Sequence, residues 1–280
     1  MDNCRILITG DYWHDDFRDF VTQFNSPVTM IPQEQIGSAG SLQNFDLVIL
    51  AESRRGQMDR KTVETLQKSL PTSPMVSLLG SWCEGEQRSG DAIPGVVRVY
   101  WHQWEGRYKD FLNALSEDKV ANWALPATAN ESDRIQAAVP TESERNLQRP
   151  HFLSQTSPGM IGVSTRKRES YEMLADAVST SDWNAFWIEQ SSLPASRMPE
   201  FRVICIEADS VSDEIERRVS QFKKAYPMVP IIAVLNFPRV DDAYNAQSMG
   251  IHRVVSKPFQ LIDLNHAINS VIGKSGSEVA

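Results

Sequence analysis

Residues whose side chains can do chemistry gather in one segment, residues 80–105. Glycine stands at every fifth position from 80 to 95, and three of the seven tryptophans fall in this segment. A thiol beside a histidine can act as a nucleophile, histidines with carboxylates can hold a metal ion, and aromatic rings with a few polar groups can line a ligand pocket. The candidate residues are Trp82, Cys83, Glu84, Glu86, Arg88, His102 and Trp104.

Further polar residues follow apolar runs elsewhere in the first half. Asp11 and His14 follow the run at 5–9, and Glu52 and Arg54 follow the run at 47–50. In open parallel sheets, ligands bind beyond the carboxyl ends of the strands. We therefore predict that these residues meet the 80–105 segment at one sheet edge and form a candidate ligand or partner site with it.

The chemistry of this edge has several interpretations. The favoured one is a loop that packs on the domain surface or docks a partner, and small-molecule binding is the main alternative. The glycines match neither GxxxxGK[ST] nor GxGxxG, so they predict no phosphate cradle. A metal ion held by His14 and His102, or a Cys83 nucleophile paired with His102, would need a geometry that spacing cannot supply. We predict no metal and no catalytic residue.

The elements that must position these residues alternate between strands and helices. In the first half, runs that are apolar throughout predict strands at 5–9, 28–31, 47–50, 75–79 and 96–101. Helical spacing is found for Phe17, Phe20, Val21 and Phe24, for Val63, Leu66 and Leu70, and over 108–115. Strands that are apolar on both faces, separated by helices, are typical of a parallel sheet covered on both sides.

The second half repeats this plan. Strands are predicted at 160–163, 185–188, 203–206, 231–235 and 253–255, and helices at 171–178, 211–226 and 261–271. Ser210 and Asp213 predict a capping box at the start of the second of these helices.

A polar segment with four prolines, residues 117–158, separates the two halves. This composition predicts an interdomain linker, whose start Trp123 and Leu125 would anchor against a domain. We predict domains at 1–116, with a long loop after the fourth strand, and at 159–280. Each is predicted to be a flavodoxin-like, doubly wound α/β domain with a five-stranded parallel sheet.

Composition excludes several classes of function. The chain has 280 residues, a net charge of −8 and 41% hydrophobic residues, as soluble globular proteins do. Residues 1–150 carry 15 Lys and Arg against 21 Asp and Glu, which argues against a nucleic-acid partner. Neither a signal peptide nor an apolar run of ~18 residues occurs, so we expect a cytoplasmic protein without a membrane partner. Three widely spaced cysteines without a CxxC pair argue against a zinc site.

The second half resembles response-regulator receiver domains, the CheY-like family. The apolar run at 230–235, Asp241-Asp242-Ala243, Met249-Gly250 and Val254-Val255-Ser256-Lys257-Pro258-Phe259 carry the resemblance. It extends over residues 160–272 by the order of elements, and residues 5–115 resemble the family more loosely.

Receiver domains accept a phosphoryl group on an aspartate, with magnesium held by an acidic pair, and a hydroxyl and a lysine contact the phosphoryl group. The resemblance assigns the acceptor position to Glu207, the acidic pair to Ser164 and Thr165, the hydroxyl to Leu235 beside Asn236, and the lysine to Lys257. In the first half, the acceptor position falls on Ala51 beside Glu52. Lys257 alone keeps the residue type of the family, so the resemblance implies a degenerate site.

Glu207 and Lys257 could form a fixed ion pair that imitates a charged acceptor. The simpler interpretation is a drifted site with a partly exposed salt bridge, which contributes ~0–1 kcal/mol. An active phosphoreceiver would require a displaced strand alignment, with Asp209 as the acceptor.

We therefore predict a non-catalytic tandem pseudo-receiver that acts in signalling or regulation through protein–protein contacts. It would work without aspartyl phosphorylation and without a cofactor. The expected partner is a protein, and a homodimer through residues 251–259 is one candidate. The alternative is a small-molecule-binding or enzymatic first domain that uses the loop at 82–91 and the edge at His102 and Trp104.

Overall fold

The computed structural model divides the chain into two compact units, residues 1–139 and residues 140–280. It describes residues 4–18, 20–24, 27–37, 42, 44–84, 93–116, 123, 128, 159–179, 181, 183–189 and 198–275. Apart from Trp123 and Thr128, the predicted linker at 117–158 lies outside the described residues, so its bounds stay a prediction. Trp123 does pack on Phe111 of the first unit, with ring centroids 5.0 Å apart.

The first unit contains a five-stranded, wholly parallel sheet in the order β2-β1-β3-β4-β5. Its strands are β1 (Ile6–Gly10), β2 (Val28–Met30), β3 (Leu47–Glu52), β4 (Met75–Leu79) and β5 (Val96–Tyr100). Helix α1 (Arg60–Ser69) follows β3, and helix α2 (Trp104–Ser116) follows β5. Apolar side chains of β3 alternate between the two faces, because successive strand residues point to opposite sides.

The second unit repeats the architecture. Its strands are β6 (Met160–Ser164), β7 (Asn184–Trp187), β8 (Phe201–Glu207), β9 (Ile231–Asn236) and β10 (Arg253–Lys257). They are parallel in the order β7-β6-β8-β9-β10. The helices are α3 (Arg168–Ser179), α4 (Asp213–Ala225), α5 (Val240–Met249) and α6 (Leu261–Ser275). The predicted fold class, two doubly wound α/β units with five-stranded parallel sheets, is confirmed.

Two local predictions are wrong. Residues 17–24 form no α-helix but contribute to two short 3-10 turns, Asp15–Phe17 and Val21–Gln23. This stretch contains three phenylalanines, a valine and a threonine, which have low helix propensity. Helix α4 begins at Asp213 after Ser212, whose side chain makes no capping hydrogen bond, so the Ser210 capping box is not formed. Acidic residues in its first turn and Lys223 and Lys224 in its last turn complement the helix dipole.

Candidate functional site

An ion pair joins the ends of two strands at the carboxyl edge of the second sheet. Glu207 ends β8 and Lys257 ends β10. The Lys257 ammonium donates a hydrogen bond to Oε1 of Glu207, and the Thr165 hydroxyl donates to Oε2 over 3.0 Å. Both oxygens of the carboxylate therefore already accept a hydrogen bond from the protein.

The carboxylate of this pair is buried, and the lysine is partly exposed. The side chain of Glu207 is 5% exposed and that of Lys257 is 17% exposed. The expected contribution of ~0–1 kcal/mol for a partly exposed salt bridge stays a prediction. In a buried pair, each charge depends on its partner, because removal of one leaves the other desolvated and uncompensated.

A second carboxylate reaches the same edge from the end of β7. Oε1 of Glu189 accepts the hydroxyl hydrogen of Ser164, and Oε2 accepts the backbone N–H of Thr165 at 3.0 Å. Ser164 and Thr165 occupy the positions at which a receiver would carry its acidic pair. Here both are buried hydroxyls that donate to carboxylates: Ser164 to Glu189 and Thr165 to Glu207.

Arg218 on α4 ties the ends of β6 and β8 together. Its Nη1 donates to the carbonyl of Glu207 at 3.0 Å, and its Nη2 donates to the carbonyl of Ser164 at 2.5 Å and to the Ser164 hydroxyl at 2.6 Å. Burial lowers the pKa of the Arg218 guanidinium from its ordinary value, and the neighbouring Glu189 opposes that shift. The guanidinium thus supplies hydrogen-bond donors to two backbone carbonyls at the ends of strands.

An exposed polar layer lies beside the buried pair. Asp209 accepts hydrogen bonds from Lys167 at 3.3 Å and from the side chain of Asn236 at 2.9 Å. The hydrogen bond and charge of Lys167 lower the pKa of Asp209 from its ordinary value. Asp209 lies two residues past the end of β8, and Lys257 contacts Glu207. This register does not support the displaced alignment with Asp209 as acceptor.

The donor set of this edge does not fit the magnesium site of a receiver. Mg²⁺ is bound in proteins chiefly through carboxylate oxygens. The acidic-pair positions carry hydroxyls, and the oxygens of Glu207 face an ammonium group and a hydroxyl. No cluster of three or more His, Cys, Asp or Glu suited to a metal ion occurs among the residues that the structure describes.

The ladder register shows what the first sheet carries at the positions of the ion pair. Ala51 pairs with Leu78, which pairs with Val99; Glu207 pairs with Val234, and Val255 pairs with Val234. Ala51, like Glu207, follows two core residues of the same strand face. Trp101 lies two residues after Val99 and just beyond the end of β5, whereas Lys257 lies two residues after Val255 and is the last residue of β10. At these positions, the first unit has alanine and tryptophan where the second has glutamate and lysine.

The first sheet edge is built instead from hydrogen-bonded loops. Asp11 accepts from the hydroxyl of Ser53 and from the Gln57 amide at 3.3 Å. Glu52 is buried, and its Oε1 accepts the hydroxyl hydrogen of Ser77 on β4. These contacts join the loops after β1 and β3, as predicted from the topology.

The loop after β4 is tied to the loop after β1. Oδ2 of Asp16 accepts the backbone N–H of Ser81 at 2.7 Å and its hydroxyl at 2.9 Å. His14 caps the turn that contains Asp16, because its Nδ1 accepts the Asp16 N–H at 3.2 Å. His14 therefore has a structural contact within its own loop.

Cys83 and His102, which were considered above as a nucleophile and its base, each have a contact with another residue. Nε2 of His102 lies 3.1 Å from Oε1 of Glu84, and both side chains are largely buried. The Cys83 thiol, 1% exposed, donates to the carbonyl of Glu52 at 3.4 Å. A buried thiol bonded to a main-chain carbonyl is a structural cysteine.

Trp104 belongs to the core rather than to an open edge, which corrects its prediction as a site residue. It is 1% exposed and stacks on Tyr108 and Trp123, with ring centroids 5.1 Å and 5.4 Å away. Trp104 is the first residue of α2 and packs in the aromatic cluster of the first unit. Burial of its large apolar ring stabilises this core.

The remaining candidates of the first unit divide into exposed and undescribed residues. Arg54 lies over the ring of Trp82, 5.8 Å from its centroid, and Trp82 is 52% exposed. This pair is the accessible part of the candidate ligand or partner site. Glu86 and Arg88 lie outside the described residues, so their role stays a prediction.

Sequence reasoning missed Glu189 and Arg218. Glu189 carries a signal that could have been used, since it is a carboxylate directly after a predicted strand, in a position that faces the carboxyl edge. Arg218 lies inside an amphipathic helix, where an arginine is ordinarily solvated, so its spacing gave no indication of a contact 54 residues away in sequence.

No family model matches the chain, and no curated protein matches it. Solved structures do match part of it. A response regulator from Thermotoga maritima is 15% identical with a TM-score of 0.37, and the match covers 41% of this chain and 98% of that one. A response-regulator receiver domain protein from Clostridium thermocellum is 15% identical with a TM-score of 0.35, covering 43% and 98%. NtrX from Brucella abortus, solved with ATP, is 18% identical with a TM-score of 0.38, covering 43% of this chain and 28% of that one.

At these identities the solved structures carry no assignment of activity. The strand order of the two sheets settles the architecture by itself. Both follow the 2-1-3-4-5 order that flavodoxin shares with receiver domains. Each half of the chain is therefore an α/β unit with flavodoxin-like topology.

Proposed function

We propose that this chain is a tandem pseudo-receiver, a non-enzymatic protein of signalling or regulation that acts through protein contacts without aspartyl phosphorylation. One observation carries the proposal. At the position where a receiver has its phosphoryl acceptor, Glu207 is held by Lys257 and Thr165, and hydroxyls replace the acidic pair.

Phosphoryl transfer requires a free carboxylate nucleophile and a cation that neutralises charge on the phosphoryl oxygens. Attack by Glu207 would require loss of its hydrogen bonds to Lys257 and Thr165. The lysine that would contact the phosphoryl group is already engaged by the carboxylate. The site thus favours one fixed state over two states that a phosphoryl group could interconvert.

The first unit supports the same proposal. It carries Ala51 on β3 and Trp101 just after β5 at the positions of the pair. An enzymatic role for this unit is not favoured, because Cys83, His102 and Trp104 are buried in structural contacts. The exposed Arg54 and Trp82 suit a protein contact, since arginine and tryptophan are enriched at binding hot spots.

The proposal places the protein in the cytoplasm and gives it a protein partner, with a second copy of the chain as one candidate. The described cysteines are free thiols, as is usual in a reducing compartment. None of the described helices combines the length and hydropathy needed to cross a bilayer.

Intact mass spectrometry after incubation with acetyl phosphate and magnesium tests the proposal. A receiver domain with a complete acidic site, treated in parallel, should gain the mass of one phosphoryl group. We expect the mass of this chain to stay unchanged. A phosphoryl adduct that depends on magnesium and is lost in Glu207→Gln or Asp209→Asn would overturn the proposal.

A further inference from the structure

An open cavity of about 690 Å³ lies in the second unit, beside the buried ion pair. Helix α3 forms one wall, and the segments that follow β9 and β10 form the other. Its apolar lining consists of Met173, Ala177, Phe237, Pro258, Phe259 and Leu261. This volume lies within the ~300–1,000 Å³ that small-molecule sites enclose.

The apolar lining is unusually accessible. Met173, Phe237 and Leu261 are 42%, 51% and 47% exposed, and all three belong to this one cavity. Large exposed apolar side chains are ordinarily scattered over a surface, and their concentration marks a binding site. Burial of these side chains against a ligand would remove apolar area from water.

The polar groups of the lining define the head of the ligand. Lys257 and Asn236 line the cavity beside each other. An ammonium group has three N–H donors, and Glu207 takes one of them. Lys257 can therefore donate to an acceptor in the cavity, and Asn236 offers an amide.

The charges at the cavity indicate which head group a ligand could have. The Glu207 carboxylate already neutralises Lys257, so an anionic head next to the pair would meet repulsion from Glu207 without a free cation. A cationic head would lie beside the Lys257 ammonium. Asp176 lines the cavity from α3, eight residues after the first residue of that helix. A neutral hydrogen-bond acceptor fits Lys257 and Asn236 best.

We infer that this cavity binds a small neutral amphiphile, with an apolar body on Met173 and Leu261 and a carbonyl or amide head at Lys257 and Asn236. This inference goes beyond the proposed function and does not depend on it. The ion pair then serves as a neutral hydrogen-bond donor at the end of an apolar site.

Nile red, a neutral dye with a carbonyl group and polarity-sensitive emission, tests the inference on the full chain. We expect a saturable blue shift with one dye per chain. Met173→Glu and Leu261→Glu should each raise the dissociation constant of the dye at least about tenfold, because each places a charge in the apolar lining. The matched control is Met228→Glu, which changes a methionine that is 76% exposed and lies outside the cavity, and it should bind as the unmodified chain does. Equal loss in all three variants, or none in the first two, would overturn the inference.

Displacement by ten-carbon amphiphiles tests the head group. Decanamide should displace Nile red more effectively than decanoate or decyltrimethylammonium. Strongest displacement by the anion or by the cation would contradict the neutral head. Sedimentation of the chain over the same range of protein concentrations detects dimer formation. A dye affinity that falls as the dimer forms would show that a second copy covers the cavity, and this result would overturn the inference.

Discussion

At the scale of single residues, the second unit depends on how the charge of Glu207 is compensated. The idealised cost of moving an ion of this size into a protein interior is of order 20 kcal/mol, and it remains several kcal/mol after relaxation. Lys257 supplies the opposite charge and Thr165 a further hydrogen bond. The pair need not add much net stability, but each partner requires the other.

Replacement of Lys257 by methionine is expected to lower the free energy of unfolding by about 3 kcal/mol, because Glu207 stays buried without its cation. The lower part of the usual range applies, since the Lys257 side chain is 17% exposed. Urea unfolding followed by far-ultraviolet circular dichroism gives the value. The double variant Glu207→Leu with Lys257→Met should recover more than half of the loss. Equal stability of the single and double variants would contradict the account.

Cys205 gives a pH dependence with a defined sign. Burial raises the pKa of its thiol from the ordinary value of 9.0 to about 12. Below pH 9 the thiol is protonated in both states; above it the unfolded chain ionises while the folded chain does not. Stability from this group is therefore lost as the pH rises from 9 towards 12, by at most about 1.4 kcal/mol per pH unit. Urea unfolding at several pH values should show a shallower decline in Cys205→Ala than in the unmodified chain, and parallel declines would refute this.

At the scale of elements, the edge is held by contacts between strand ends and a distant helix. Arg218 on α4 donates to carbonyls at the ends of β6 and β8, and Glu189 connects the end of β7 with Ser164 and Thr165. The side chains fix the relative positions of the three strand ends.

Arg218→Met should therefore lower the free energy of unfolding by about 2–3 kcal/mol, because the carbonyls of Ser164 and Glu207 lose a charged hydrogen-bond donor. Arg217→Met is the matched control: Arg217 is the neighbouring residue of the same helix and is exposed. This control should change the free energy of unfolding by no more than about 0.5 kcal/mol. Thermal and urea unfolding measure the stability of the two variants. Similar losses of stability in both would mean that the contacts of Arg218 make no specific contribution.

The sequence predicts the strands well because each is apolar on both faces, a pattern that few other structures produce. It fails at residues 17–24, where aromatic spacing imitates a helical stripe. Phe20 and Phe24 instead reach Trp104 and Tyr108 from irregular backbone. Here tertiary packing of aromatic rings, rather than a helix, accounts for the spacing.

The site is predictable only where topology alone positions a residue. Glu207 and Lys257 end parallel strands, so their convergence follows from the fold. Arg218 requires knowledge of how α4 packs on the sheet, and the burial of His102 and Cys83 requires knowledge of the loop path. Neither is encoded in local spacing.

At the scale of the whole molecule, one architecture occurs twice with different chemistry at the same edge. The second unit carries the Glu207–Lys257 ion pair, whereas the first carries Ala51 on β3 and Trp101 just after β5. The first unit instead exposes Trp82 and Arg54 near that edge. The second unit thus has a charged edge, and we propose that the exposed surface of the first unit contacts a protein.

The central claim is that the edge of the second sheet is a closed ion pair rather than a phosphoryl site. Its most direct test is a series of ¹H–¹⁵N spectra of the full chain, recorded with Mg²⁺ and then with Mg²⁺ and beryllofluoride, which imitates a bound phosphoryl group. We predict that the amide signals of Thr165, Glu207, Asn236 and Lys257 keep their positions. Saturable shifts of these amides that require both Mg²⁺ and beryllofluoride would contradict it.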